Sequence, residues 1–156
     1  MKTLLILVGK TTDKHFQTGI SDYVERISHY MPFELVTIPE IKNTKSLTGE
    51  QQKTAEGELI LKQLQPSDTV VLLDEHGREL RSIELARWLE QKRNSARRLI
   101  FVIGGPYGFS SEVYSRADEA LSLSKMTFSH QMVRLIFTEQ IYRACTIIKG
   151  EPYHHE

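Results

Sequence analysis

Five short apolar runs along the chain are each followed by a segment with helical character, and that alternation sets the fold expectation. Lys2-Thr-Leu-Leu-Ile-Leu-Val-Gly9 is continuously apolar up to a closing glycine, as suits a strand buried on both faces. From Asp13 the apolar positions change to Phe16, Ile20, Tyr23, Val24, Ile27 and Met31, a helical spacing that Pro32 ends. Phe33 to Ile38 predicts a second strand. Pro39 to Gly49 is polar and basic, with Lys42 and Lys45 and no periodicity, and predicts a loop. A helix from about Glu50 to Leu64 is stopped by Pro66. Thr69 to Asp74 predicts the third strand, Glu75 to Arg78 a turn, and Ser82 the cap of a helix running to about Arg93. Arg98 to Ile103 is the fourth strand, closed by the glycine-rich Gly104 to Gly108. Ser110 or Ser111 caps a short helix to about Ala117, and Leu121 to Leu123 is a fifth strand. The last helix is expected from about His130 to Lys149, with Gly150 and Pro152 as its stop signals. Such alternation predicts a single α/β domain over residues 1–156, its sheet mostly parallel and covered by helices on both faces. Ligands of such sheets lie beyond the carboxyl ends of the strands, which selects the turns after Leu73, Ile103 and Leu123.

Composition leaves this picture intact. With 40% hydrophobic and 26% charged residues, the chain is neither disordered nor fibrous. Twenty basic and twenty acidic residues cancel, so a nucleic-acid or other anionic partner must be met by a local patch. Cys145 is the only cysteine and has no internal disulfide partner. Its neighbours suit it to core packing rather than to nucleophilic chemistry. The apolar start, Leu4 to Val8, is too short for a membrane span or a signal peptide. These features point to a soluble, cytoplasmic protein of a reducing compartment.

Candidate chemistry gathers in the second half. In Ile103-Gly-Gly-Pro-Tyr-Gly-Phe109, glycines let a ligand lie against the backbone, or simply make a tight strand-to-helix turn. Neither a dinucleotide fingerprint nor a Walker lysine is present. Leu121-Ser-Leu-Ser-Lys-Met-Thr-Phe-Ser-His130 mixes small polar and apolar residues just before a helix. It offers free amides and apolar side chains to a planar base, or serves only as a connection capped by Ser129. On the last helix Val133, Phe137, Ile141, Ala144 and Ile148 form an apolar stripe. A second row, Arg134, Thr138, Tyr142 and Thr146, lies beside Arg143, which is four residues from Glu139. Arg134, Tyr142 and Arg143 suit a phosphate or an unstacked base, against the ordinary alternative of a solvated helix face. Pro152-Tyr153-His154 adds a rigid residue, a ring and an imidazole. His154 and His155 lack a third partner for a metal.

Taken in order, Leu72-Leu-Asp-Glu-His-Gly, Phe101-Val-Ile-Gly-Gly-Pro-Tyr-Gly, the Leu121 to His130 segment, Glu139-Gln-Ile-Tyr-Arg-Ala and the closing Pro152-Tyr-His154 resemble the bacterial ribosomal RNA large subunit methyltransferase H family of the SPOUT class. The resemblance spans essentially the whole chain, including Met31-Pro-Phe-Glu-Leu35. It implies a C-terminal trefoil knot, which no periodicity reveals, since chains are ordinarily un-knotted. It also implies a homodimer, S-adenosyl-L-methionine as methyl donor, and N3 of a pseudouridine in the subunit-interface stem-loop of 23S rRNA, on assembled ribosomes, as acceptor. The donor pocket it implies is Leu73, Gly104 and the loop Leu123, Ser124, Lys125, Met126, Thr127 and Phe128, with Gly105 and Gly108 shaping the turn. The acceptor-side residues are Arg134, Tyr142, Arg143, Tyr153 and His154, with His130 nearby and the tail completing the partner subunit's pocket.

An imide N3 holds its proton at neutral pH, so transfer needs a base or a cation that stabilises the anion. His154 or His130 are the candidate bases and Arg143 or Arg134 the candidate cations. Arg143 is favoured for charge stabilisation and His154 for orientation or base work. The rival readings are a knotted methyltransferase of another RNA such as tRNA, a non-enzymatic RNA- or nucleotide-binding dimer, and a flavodoxin-like switch protein. The last lacks a phosphate loop or acceptor aspartate cluster here.

Overall fold

The apolar runs become strands and the periodic segments helices in the computed structural model, which describes all residues from Met1 to Glu156. The strands are β1 (Lys2–Val8), β2 (Phe33–Ile38), β3 (Thr69–Glu79), β4 (Arg98–Ile103) and β5 (Glu119–Ser122). The helices are α1 (Lys14–Ser28), α2 (Gly49–Lys62), α3 (Ser82–Ser95), α4 (Ser111–Arg116) and α5 (Met132–Lys149). One parallel sheet results, in the order β2-β1-β4-β3-β5.

Alternate residues of the strands feed two apolar layers. Leu5, Leu7, Val71, Phe101 and Leu121 face α1, α3 and α5, where Ile27, Trp88, Leu89, Phe137 and Ile141 close the core. Leu4, Ile6, Val70, Leu72, Ile100 and Val102 face α2 and α4 through Ile60, Phe109 and Val113. Helix starts follow their sequence signals except at α3, where Ser82, expected as the cap, is the first helical residue and the Arg81 amide at the cap position donates to Glu84 at 2.7 Å. Asp13 accepts from the His15 and Phe16 amides at 2.8 and 3.3 Å, Thr48 and Gln51 form a capping box, and Ser110 accepts from the Val113 amide at 3.3 Å. Helix α5 begins at Met132, two residues later than expected, although Ser129 does accept the Met132 amide at 3.0 Å. No helix is long and apolar enough to cross a membrane.

The third strand departs most from expectation. It continues through the segment Glu75 to Arg78, expected as a turn, because the chain rejoins β5 after an irregularity. Leu73 and Arg78 both stand opposite Leu121, so the residues between them are extra to the ladder and swing out at the sheet's carboxyl edge. Gly77 makes this possible. A Cβ there would lie 2.7 Å from Ala120 C, Leu121 N and Leu121 C, so only a residue without a side chain lets the two backbones pass. The polar run Asp-Glu-His-Gly-Arg hides a strand continuation that periodicity alone does not register. The loop expected over Pro39 to Gly49 contains a single 3₁₀ turn, Thr44–Ser46.

At the opposite edge of the sheet, Asp68 is held by a fork from Arg98. Nε and Nη2 each donate at 2.7 Å, and the Gln65 amide donates to the same carboxylate at 2.7 Å. Burial alone raises the Asp68 pKa, but these donors outweigh it and hold the carboxyl below its ordinary value of 3.8. A lowered folded-state value gives stability that is complete above the unfolded value and is lost as pH falls through the folded one. Asp68→Asn should therefore cost about 3 kcal/mol in urea unfolding at neutral pH. The gap between variant and parent should narrow below about pH 4.

Candidate active site

The turns after β3, β4 and β5 converge on one cleft of about 440 Å³ at the carboxyl edge of the sheet. That size falls within the roughly 300–1,000 Å³ typical of small-molecule sites. Leu73, Ile103, Leu121 and Leu123 give it apolar walls, and Gly104 exposes backbone. Ser124, Met126, Thr127 and Phe128 form one flank, with His130 and Val133 at the base of α5. Of the residues expected around a donor, only Lys125 stands outside the lining, as an exposed side chain. The loop folds on its own serines: Ser122 Oγ donates to Ser124 O at 2.8 Å, and Ser124 Oγ accepts from the Met126 amide at 3.0 Å. The glycine turn is closed by Gly108 N donating to Gly105 O at 3.1 Å. Apolar walls, exposed backbone and polar side chains together suit a small molecule with both apolar and polar parts. Asp74, Tyr114 and Lys53 are polar liners that the sequence did not single out. The Tyr114 hydroxyl donates to Asp74 at 2.6 Å, and burial followed by this bond pushes its pKa up to about 12.

A second constellation sits at the far end of α5. Arg143 Nη2 donates to Glu139 Oε1 at 2.6 Å, and the Tyr153 hydroxyl donates to the same oxygen at 3.0 Å. Arg143 Nη1 lies 3.1 Å from His154 Nδ1. A guanidinium only donates, so Nδ1 is the acceptor and the ring proton sits on Nε2. The guanidinium also lies over the Tyr153 ring, 4.8 Å from its centroid. Tyr142 meets Tyr153 edge-on at 4.8 Å and is flanked by Tyr23 at 5.8 Å and Tyr30 at 6.1 Å. Burial, then donation to Glu139, raises the Tyr153 pKa. Two donors are buried without partners, Arg143 Nε and His154 Nε2. Glu139 is the organising residue. Its spacing to Arg143 was visible in sequence, but its grip on Tyr153 depends on the tail folding back.

Arg134 belongs to neither group, which corrects its expected place at the acceptor. It is fully buried, and its donors go to the carbonyls of Val8 (2.7 Å), Gly9 (2.9 Å) and His130 (3.0 Å) and to Thr11 Oγ1 (3.0 Å). Burial pulls its pKa down, and the negative charge of Glu40 offsets part of that. With Gln131, which accepts from the Thr12 amide at 2.8 Å and donates to Lys10 O at 3.1 Å, it ties the exit of β1 to α5. Thr138 and Thr146 of the same row are also fully buried, so of that row only Tyr142 is left partly exposed. Cys145 is buried, and burial pushes its thiol up to about 11, consistent with a packing role.

None of Tyr142, Arg143, Tyr153 or His154 lines the cleft of the same chain. From Met132 beside the cleft to Arg143 the helix rises about 16 Å, at 1.5 Å per residue. Reacting atoms must approach to about 3–3.5 Å.

The family model described as "Predicted SPOUT methyltransferase" matches residues 1–154. Among curated proteins, the chain is 65% identical to a Ribosomal RNA large subunit methyltransferase H from Bacteroides fragilis, 60% identical to one from Phocaeicola vulgatus and 53% identical to one from Porphyromonas gingivalis. Each alignment covers 100% of both chains.

Proposed function

Because the chain belongs to the ribosomal RNA large subunit methyltransferase H family of SPOUT methyltransferases, we propose that it methylates N3 of a pseudouridine in the subunit-interface stem-loop of 23S rRNA. In this reading it acts as a homodimer on assembled ribosomes, with S-adenosyl-L-methionine as donor. The observation that carries the reading is the separation of two half-sites along α5. One is a cleft suited to a nucleoside; the other is a cationic, aromatic cluster with two unpartnered donors. Antiparallel pairing of two copies would set each cleft against the partner's cluster. A trefoil knot at the C-terminal end is part of the same reading.

Leu73, Gly104 and the 123–128 loop would hold the donor, which supplies a methyl group already activated on a sulfonium. The chain's own residues must then align the acceptor and manage one proton. The Arg143 guanidinium and the His154 imidazole are suited to the carbonyl oxygens that flank an imide nitrogen, where negative charge accumulates as the N3 proton passes to water. The bond from Arg143 to Nδ1 favours an orienting, donating role for His154 over that of base. Tyr153 and Tyr142 supply ring faces for an unstacked base. Glu139 is a positioning residue, fixing guanidinium and phenol together.

With no net charge, the protein has few phosphate contacts to offer, so recognition rests on the shape of the ribosomal site. The test is methyl transfer from labelled donor to unmethylated ribosomes and to the isolated stem-loop, with the modified atom mapped. Label at pseudouridine N3, far faster on ribosomes, is expected. Equal rates on both substrates contradict the ribosome requirement, and label in tRNA contradicts the substrate.

A further inference from the structure

Helix α2 backs the glycine turn along its whole length. The Tyr107 ring lies on Gly49, and Ser110 and Val113 lie on Gly57. Between them, the Glu56 carboxyl group is wedged against Gly105. A Cβ at position 105 would sit 2.8 Å from Glu56 Oε1 and 3.0 Å from Oε2. Glu56 is only 4% exposed. Its Oε2 accepts from Gln52 Nε2 at 3.3 Å, whereas Oε1 has no partner at all. A buried carboxylate in that state is expensive, because a charged oxygen loses its water and gains nothing.

The surroundings add no cation to relieve it. Glu40, in the segment after β2, is the charged side chain whose field reaches Glu56, and it is also negative. On α2 itself, Lys53 is paired with Glu50 at 2.9 Å. The turn from Gly104 to Ser110 carries no charged residue, and α4 presents Val113 to α2, with Arg116 engaged by Gln65 O, Asp68 O and Asp118. Burial, reinforced by Glu40 and opposed by Gln52, raises the Glu56 pKa.

We propose that Glu56 is a positioning residue of the donor cleft: its carboxyl group wedges behind Gly105 and holds the glycine turn in its donor-binding shape. This rests on the donor assignment above. Ionisation of Glu56 puts a second negative charge beside Glu40 and draws water behind the turn, which loosens Gly104 on the cleft side. Donor affinity is thereby linked to one proton that lies outside the reaction itself.

The test titrates the full-length protein with S-adenosyl-L-homocysteine by calorimetry at a series of pH values from the ordinary glutamate range of about 4 up to about 8. The parent protein should bind most tightly at the acid end and lose about tenfold in affinity toward the alkaline end. Glu56→Gln, neutral at every pH, should hold the acid-end affinity throughout. Gly105→Ala should bind about tenfold more weakly, and Glu56→Ala should restore part of that loss in the double variant by vacating the space its Cβ needs. Losses that simply multiply, or a Glu56→Gln profile that follows the parent's, overturn the proposal. The latter would assign the pH dependence to a group other than Glu56. If the parent binds no probe at any pH, the donor assignment fails first; if it binds and the variants do not separate, only the role of Glu56 fails.

Discussion

Two inactive variants should restore activity to each other when mixed. Arg143→Ala is expected to lower turnover by about 10²–10³-fold, the loss typical of removing a preorganised donor to a developing anion. Its donor affinity should be little changed, because the role proposed for Arg143 is on the acceptor side. Gly104→Val should fail in the opposite way. A Cβ there meets the Phe109 ring at 3.0 Å, and a branched side chain fills the turn that must admit the donor. In a mixed dimer the Arg143→Ala chain contributes an intact cleft and the Gly104→Val chain an intact cluster, so one of the two sites is whole. Random re-pairing makes half the dimers mixed, so about a quarter of parental activity should return after co-refolding. Each variant alone stays inactive. A mixture as inactive as its components would place cleft and cluster of one chain in one site, against the spacing along α5.

Replacing Arg134 should damage stability rather than binding. Arg134→Met keeps the apolar stem but strands the carbonyls of Val8, Gly9 and His130 in the interior. Each orphaned group costs about 1–3 kcal/mol, so a loss of about 3–9 kcal/mol is expected for the three. For a chain of this length that lowers Tm by about 10 °C or more. Lysine should rescue little, because one ammonium lacks the planar fork that reaches several carbonyls at once. A thermal melt decides the matter. A variant that melts within about 2 °C of the parent but methylates poorly would return Arg134 to the acceptor side.

The strands were legible because parallel strands buried on both faces appear as unbroken apolar runs, and β1 and β4 are such runs. The carboxyl-edge rule then found the cleft from Leu73, Ile103 and Leu123 without knowledge of a ligand. What stayed hidden depended on contacts distant in sequence. Arg134 looked like a surface cation because its spacing matches that of Tyr142; its partners lie 125 and 126 residues away. Glu56 looked like an ordinary polar position on a weakly patterned helix, and only the passage of Gly105 behind it makes it unusual. The segment Asp74 to Arg78 has the composition of a turn, and its return to β5 is set by Gly77 fitting against another backbone. Composition reports burial well and reports close approach of chains poorly.

The tie between the exit of β1 and α5 also sets when the molecule becomes complete during synthesis. A growing chain can pair β1 with β2 early, since those contacts are local. The carbonyls of Val8 and Gly9 must remain hydrated until the C-terminal helix arrives to accept them into the interior. Nascent or truncated chains lacking that helix are therefore open at the exit of β1 and lack the cluster that the helix and tail carry. Maturation is a late, all-or-none event, and a prematurely terminated product should be cleared by proteases rather than persist as a partly working enzyme.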